Sequence, residues 1–345
     1  MCKPVKKLRV GVIGCGRISV MHFAAINALD GVELVACCDI KLDRANEAAD
    51  KYNVKAYVSY EEMLNIEKLD AVHICLPHYL HSQVACYAFS RKVNVLTEKP
   101  MDVDFASAKK AVEEAERCGV LFGVIMQCRY NNSSKLVKEA ISSGKLGKIL
   151  SARSVLTWTR PDSYYAESDW KGTWEKEGGG VVIDQAIHSI DLVHWLIGAE
   201  VDNVSCSMAN RAHQKVNVED TAEGLIEYKN GIKYGFYCMN NYACDEPIEI
   251  RLCCEKGKVI FGYDDAYIYY EDGSVEESHQ ELKDVVPEGG KDYWGFQHVR
   301  QIEQFYKACR GEEPLDISGA EALKTHSIIM KLYECSGIKD KKSTK

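Results

Sequence analysis

The sequence predicts an α/β chain in two parts, a parallel sheet wrapped in helices followed by an α+β part built on a mainly antiparallel sheet. Three observations carry this. Through about residue 125, short apolar β-branched runs alternate with helical patterns, as strands buried on both faces of a parallel sheet require. After Gln127 the strand-like runs alternate apolar and polar residues more openly, and Asn230-Gly231 sits between two of them as a hairpin turn. The 345 residues are enough for two ordinary cores, with no low-complexity linker between them. The parts are therefore placed at 1–126 and 127–345, with the last helices able to pack back on the first part.

Leu8 to Ile13 reads as the first strand and Arg17 to Leu29 as a helix, with Ile18, Met21, Ala25 and Leu29 on one face. Further strands are Glu33 to Asp39, Ala71 to Leu76, Val93 to Thr97 and Val120 to Met126. Leu42 to Tyr52 and Phe105 to Cys118 read as helices, the second stopped by Gly119. In the second part, Lys148 to Arg160, Asn203 to Arg211, Thr221 to Lys229 and Ile232 to Met239 read as strands. Turns fall at Glu255-Lys256-Gly257 and Glu271-Asp272-Gly273-Ser274, and helices at Gly180 to Ile197, Trp294 to Cys309 and Ala320 to Ser336.

With 46% hydrophobic and 27% charged residues, the chain is an ordinary globular one, which excludes disordered, collagen-like and coiled-coil classes. A net charge of −8 argues against an electrostatic grip on nucleic acid. No apolar run reaches the roughly 18 residues of a membrane span. Met1-Cys2-Lys3-Pro4-Val5-Lys6-Lys7 leads into a strand without the apolar core of a signal peptide, so a cytoplasmic location is expected. The 15 cysteines lack any C-x-x-C spacing, and Cys37-Cys38 and Cys253-Cys254 lie inside strand-like runs. They are expected to be reduced, buried thiols, and no metal site is expected.

Val10-Gly11-Val12-Ile13-Gly14-Cys15-Gly16-Arg17-Ile18-Ser19 joins the first strand to the first helix. Gly14 and Gly16 fill the first two positions of a G-x-G-x-x-G/A turn, with Ser19 in the third. One glycine allows the tight turn and the other lets backbone approach a pyrophosphate at the helix N-terminus. Asp39, 25 residues beyond Gly14, ends the second strand, where an acid accepts hydrogen bonds from the adenosine ribose. This strand–turn–helix context makes the first part a Rossmann NAD(P)-binding domain, the alternatives being a plain tight turn and a capping acid. Asp39 favours NAD, while Lys41 and Arg44 leave NADP open.

Glu98-Lys99-Pro100 ends a buried strand, where ligands sit in such sheets. There Lys99 can hydrogen-bond a substrate hydroxyl and stabilise a developing alkoxide; the alternative is a surface lysine. In Gly178-Gly179-Gly180-Val181-Val182-Ile183-Asp184-Gln185-Ala186-Ile187-His188, Asp184 and His188 stand one helical turn apart, so an acid can orient a general base. As a bare pair the default is a packed core histidine.

Several further stretches join these motifs in order along the chain. They are Leu76-Pro77-His78-Tyr79-Leu80-His81, Thr97-Glu98-Lys99-Pro100-Met101, Gln127-Cys128-Arg129-Tyr130-Asn131 and Asp169-Trp170-Lys171-Gly172-Thr173-Trp174. Together the set resembles the glucose–fructose oxidoreductase/inositol dehydrogenase/MocA family of nicotinamide-dependent sugar and polyol dehydrogenases. The resemblance implies a Rossmann domain and a C-terminal domain with a large open antiparallel sheet, which in the family commonly forms the subunit interface of a homodimer or homotetramer. It implies Lys99, Asp184 and His188 as catalytic residues, His188 being the acid/base.

The cofactor-facing set is then Gly14, Cys15, Gly16, Arg17, Ile18, Asp39, Leu76, Pro77, His78, His81, Glu98, Lys99 and Gln127. The substrate-facing set is Lys99, Arg129, Tyr130, Arg160, Trp170, Lys171, Asp184 and His188, with Trp294 and His298 as weaker candidates. Aromatic faces beside cationic and hydroxyl donors suit a sugar ring. The partner is a small sugar or polyol, with neither nucleic acid nor membrane. Two other readings fit the same scaffold: an NAD-dependent glycosidase of the superfamily, and a non-catalytic ligand-sensing regulator.

Overall fold

Six apolar runs form one parallel sheet because each strand can be buried on both faces only when helices return over it. The structure, a computed structural model, describes residues 7–262, 265–279 and 297–339. The strands are β1 (Leu8–Ile13), β2 (Val32–Cys38), β3 (Lys55–Tyr57), β4 (Ala71–Ile74), β5 (Asn94–Thr97) and β6 (Phe122–Val124), in the order β3-β2-β1-β4-β5-β6. That is the doubly wound dinucleotide-binding order, with its crevice at the carboxyl ends of β1 and β4. The helices between them are α1 (Ser19–Ala28), α2 (Leu42–Tyr52), α3 (Tyr60–Ile66), α4 (His81–Ser90) and α5 (Phe105–Cys118). Ser59 caps α3 by accepting from Glu62 N, and Asp104 caps α5 by accepting from Ser107 N.

The first helix starts at Ser19 rather than Arg17, because the chain up to Ile18 is spent on the glycine turn. The strand expected over Val120 to Met126 keeps only three residues. β3, α3 and α4 escape the sequence reading: two are very short, and α4 is buried on most of its surface and shows no one-sided stripe.

The second sheet comprises β7 (Ile149–Thr157), β8 (Val201–Ala209), β9 (Thr221–Tyr228), β10 (Lys233–Met239), β11 (Glu249–Cys254), β12 (Gly257–Gly262), β13 (Asp265–Tyr270) and β14 (Val275–Ser278). Their order is β14-β13-β12-β11-β7-β10-β9-β8, antiparallel throughout except between β7 and β10. Asn230-Gly231 makes the β9–β10 hairpin, with Gly231 at φ +85. Period-2 alternation buries Tyr234, Phe236 and Cys238 of β10, and Ile250, Leu252 and Cys254 of β11. The helices here are α6 (Asn132–Ser142), the short α7 (Asp162–Ala166) and α8 (Ile187–Ile197), the last packed on β7.

Two helices complete the chain, α9 (His298–Cys309) and α10 (Gly319–Ser336). Two compact units result. One holds the chain to Gln127 and a return segment ending at Leu323; the other runs on from Cys128 and takes up the chain again at Lys324. The break after residue 126 is thus only one edge of the first unit. Its other contribution is α9, which lays Ile302, Phe305 and Tyr306 into a core with Val10, Phe23 and Leu96. Trp294 lies outside the described residues. Among the described residues every cysteine is free, and no helix is long and apolar enough to cross a membrane.

Arg129 anchors the second unit. Its Nε and Nη2 donate to the two carboxylate oxygens of Asp191 on α8 at 2.8 and 2.6 Å, and Thr325 Oγ1 of α10 donates to the same carboxylate at 2.8 Å. Arg129 is 5% exposed and Asp191 1%. Removing one partner strands a buried charge, which costs about 3–5 kcal/mol. Arg129→Met is therefore expected to lower unfolding free energy by about that amount in urea titration. A wild-type midpoint would contradict this.

Candidate functional site

The cofactor turn is built by exclusion. Gly14 sits at φ +95, and a Cβ there would collide with the Cys75 carbonyl, so only glycine fits. At Gly16 a Cβ would meet nothing within 4 Å. The protein's own packing does not require that glycine, whereas an approaching phosphate does. Ser19, 1% exposed, donates from Oγ to Gly16 O at 2.6 Å, so a hydroxyl replaces the usual small third residue without distortion. Asp39 accepts from Cys15 N at 2.9 Å and from Lys41 N at 2.8 Å, one bond to each oxygen. It braces the turn, and each oxygen keeps a lone pair for a ribose hydroxyl.

Of the nearby thiols, Cys15 and Cys38 are shifted up, while Cys37 is shifted down by its hydrogen bond with Cys15. Cys38 is pushed up to about 12 by burial and the Asp39 charge. Cys15 is also pushed up, first by its hydrogen bond with Cys37 and then by burial.

Thr97 Oγ1, Gln127 Oε1 and the Gln297 amide are buried in the first unit without a hydrogen-bond partner among the described residues. A buried polar group left so costs about 1–3 kcal/mol, and a bound nicotinamide cofactor offers partners of the kind they lack. Gln127 was legible from its place after β6. Thr97 stands in the Thr97-Glu98-Lys99-Pro100-Met101 stretch, whereas Gln297, a glutamine ahead of a helix, belongs to no motif.

Lys99 follows β5, with Glu98 before it and a cis peptide to Pro100 after it. His78 and His81 were expected in the cofactor-facing set. His78 is buried in a single 3-10 turn that follows Leu76 and Pro77. His81 contacts the carbonyl oxygens of Pro100 (2.6 Å) and Leu76 (2.7 Å) through its two ring nitrogens, tying the ends of β4 and β5 together. Burial lowers its pKa, and the two carbonyls oppose that. Glu98, expected among the cofactor-facing residues, turns its carboxylate into the core, against His22 and His298.

In the second unit, the glycine triplet has a packing cause. A Cβ on Gly179 would strike Tyr333 Oη, and one on Gly180 would strike Glu219 O. Glu219 accepts from Gly180 N (2.9 Å), Val182 N (3.0 Å) and Tyr333 OH (2.7 Å). The helix expected from Gly180 therefore opens with a π-helical turn, Val182–Ala186, before α8 begins. Such turns recur at functional sites.

Asp184 lies on this turn and is only partly buried. It accepts from Gln185 Nε2 (2.6 Å), Tyr164 OH (3.2 Å) and Lys171 Nζ (3.4 Å), and Lys171 also donates to Tyr164 OH. The Lys171 ammonium stands 4.2 Å from the Tyr164 ring centre and 4.9 Å from that of Trp170. His188, 4% exposed, follows one turn later in α8. Lys171, Trp170 and Asp184 thus form one cluster. Arg160 pairs with Asp245 at 3.2 Å and lies over the Trp158 and Tyr164 rings. Arg129 is committed to Asp191, and Tyr130 is buried with the Lys135 ammonium over its ring.

Residues 8–126 match the oxidoreductase family model described as an NAD-binding Rossmann fold, and residues 134–260 match the GFO/IDH/MocA C-terminal domain. The chain belongs to the GFO/IDH/MocA family. This family member is an NAD-dependent oxidoreductase. It is 26% identical over 330 residues to myo-inositol 2-dehydrogenase of Thermotoga maritima, covering 91% of this chain and 92% of that one. It is 25% identical over 350 residues to D-glucoside 3-dehydrogenase of Escherichia coli, covering 95% of each. Among solved structures, the WlbA dehydrogenase of Bordetella pertussis, in complex with NADH and UDP-GlcNAcA, superimposes with a TM-score of 0.83. That match is 28% identical and covers 96% of each chain.

Two outcomes follow from this geometry. Gly16→Val is expected to weaken NADH binding at least about tenfold, or about 1.4 kcal/mol, in fluorescence titration while the ligand-free melting temperature stays put; unchanged NADH affinity would contradict it. Burial raises Glu177 to about 8 and Glu219 to about 7. A carboxyl that titrates higher folded than unfolded stabilises the fold fully below its unfolded value, and that stability is lost as pH rises through the folded one. Relative to Glu177→Gln, the wild-type urea midpoint is thus expected to fall from about pH 5 to about pH 8. A wild-type midpoint that rises relative to that variant over the range would contradict it.

Proposed function

We propose that this enzyme transfers a hydride between the nicotinamide and a ring carbinol carbon of a sugar, inositol or related polyol, with Lys99, Asp184 and His188 at the reacting oxygen. The observation that carries this is the Asp184 cluster on the π-helical turn. A carboxylate already gathering an ammonium, a phenol and an amide stands one turn ahead of an imidazole. The names of the inositol and glucoside dehydrogenases to which the chain is similar support the same substrate class.

In oxidation, His188 takes the hydroxyl proton and the Lys99 ammonium stabilises the alkoxide that develops. Asp184 orients the substrate hydroxyl and balances the Lys171 charge. NAD, when bound, supplies the hydride acceptor. Lys171, Trp170 and Tyr164 offer a ring both a charged donor and flat faces to stack on. The first unit would hold the cofactor and the second the substrate. Alternation along β11, which exposes Arg251 and Cys253 while burying Ile250 and Leu252, leaves the eight-stranded sheet an outer face on which a homodimer or homotetramer can assemble.

Lys99→Ala and His188→Ala are each expected to lower kcat about a hundredfold or more while NADH still binds with near wild-type affinity. Near-normal turnover in both would overturn the assignment.

A further inference from the structure

Five polar side chains of the first unit meet in its dry core. β4 contributes His73, α1 His22, α9 both His298 and Tyr306, and the chain leaving β5 contributes Glu98. None is more than 5% exposed. Tyr306 OH lies 2.7 Å from His73 Nε2, His73 Nδ1 lies 2.7 Å from His22 Nδ1, and His22 Nε2 lies 3.0 Å from Glu98 Oε1. His298 Nε2 reaches the same oxygen at 3.1 Å. The other oxygen, Oε2, accepts the backbone N–H of Lys99 at 3.2 Å.

The protons in this chain can be assigned. Burial alone would push Glu98 up, but hydrogen bonds from His22 and His298 hold it well below the usual carboxylate range, so it only accepts. Both imidazoles then donate from Nε2. His22 then accepts at Nδ1 from His73 Nδ1–H, and His73 accepts at Nε2 from the Tyr306 hydroxyl. Burial lowers His73, consistent with its neutral form. Every bond has one donor, and the direction is uniform from Tyr306 to Glu98.

We infer that Glu98 is a positioning residue for Lys99, and that this buried relay of histidines fixes it. The inference rests on Lys99 being catalytic, as proposed above. Two imidazoles set the plane of the Glu98 carboxylate, its free oxygen sets the N–H of Lys99, and His81 holds the carbonyl of Pro100 on the other side. The backbone that carries the Lys99 side chain is thereby held from the buried side of the unit. One ligand atom each from His22, Glu98 and His298 lie within 4.8 Å of one another, a donor set zinc also uses. Separations of 3.0 and 3.1 Å are hydrogen-bond lengths, and every donor in the chain already has its acceptor.

The test uses the full chain with NAD and whichever of myo-inositol, methyl glucoside and UDP-N-acetylglucosamine it oxidises fastest. Glu98→Gln, whose NH2 group cannot accept, is expected to lower kcat at least about tenfold with KM and NADH affinity within about twofold. His298→Gln, which can donate from its amide to the same oxygen, is expected to keep most of kcat; His298→Leu is expected to fall with Glu98→Gln. If Lys99→Ala is inactive while Glu98→Gln turns over normally, the positioning role is wrong. Loss of KM and NADH affinity together with kcat would likewise overturn it, as a merely structural effect. So would one equivalent of tightly bound zinc in the wild type that Glu98→Gln lacks. If Lys99→Ala stays active, or no substrate of the three is oxidised, the functional reading itself fails.

Discussion

One buried carboxylate, Glu219, sets the shape on which the second unit's chemistry depends. It takes the backbone N–H groups of Gly180 and Val182 and the hydroxyl of Tyr333 into a single acceptor. Backbone can come that close only where side chains are absent, which is why glycine stands at 179 and 180. The same grip opens the start of α8 into a π-helical turn that lifts Asp184 toward Tyr164 and Lys171. Three features that read as separate in the sequence thus share one cause. They are the glycine triplet, the acid four residues after it and the aromatic stretch before it.

The first unit follows the same logic. Glu98 lies under Lys99 as Glu219 lies under Asp184, each a desolvated acid whose donors come from the elements around it. Desolvation is what gives such a group leverage, because an unfilled acceptor there costs far more than one in water. The two acids respond differently. Glu98, with imidazole donors, is held well down, while Glu219, whose donors are amides and a phenol, is carried up by burial. The lysine and the acid proposed to act at the reacting oxygen each adjoin a buried carboxylate of their own unit.

Local chemistry was legible in the sequence, and long-range partnership was not. Gly14, Gly16 and Asp39 announce themselves because a tight turn, a bare backbone and an acid must fall at set spacings, and Asn230-Gly231 because its turn accepts few other residues. Asp184 and His188 were visible as a helical pair. Nothing in the order of residues shows that His22, His73 and His298, spread over more than 270 positions, converge on Glu98. Arg129, attractive as a substrate ligand from its place after β6, is held by Asp191, 62 residues away. Glu219 was passed over because an acid between two strands reads as a turn. The cysteines, prominent in composition, occupy none of the positions proposed for catalysis; by the cofactor turn, Cys15 and Cys38 are shifted up.

The central claim is direct hydride transfer between a ring carbinol carbon and the nicotinamide, and isotopic labelling tests it most directly. Substrate deuterated at the reacting carbon would be turned over with NAD and the reduced cofactor examined by mass spectrometry and NMR. Deuterium carried stoichiometrically to C4 of the nicotinamide, with a ring ketone as the other product, is the result this structure calls for. Deuterium lost to water, or product formed without any reduced cofactor, would contradict it.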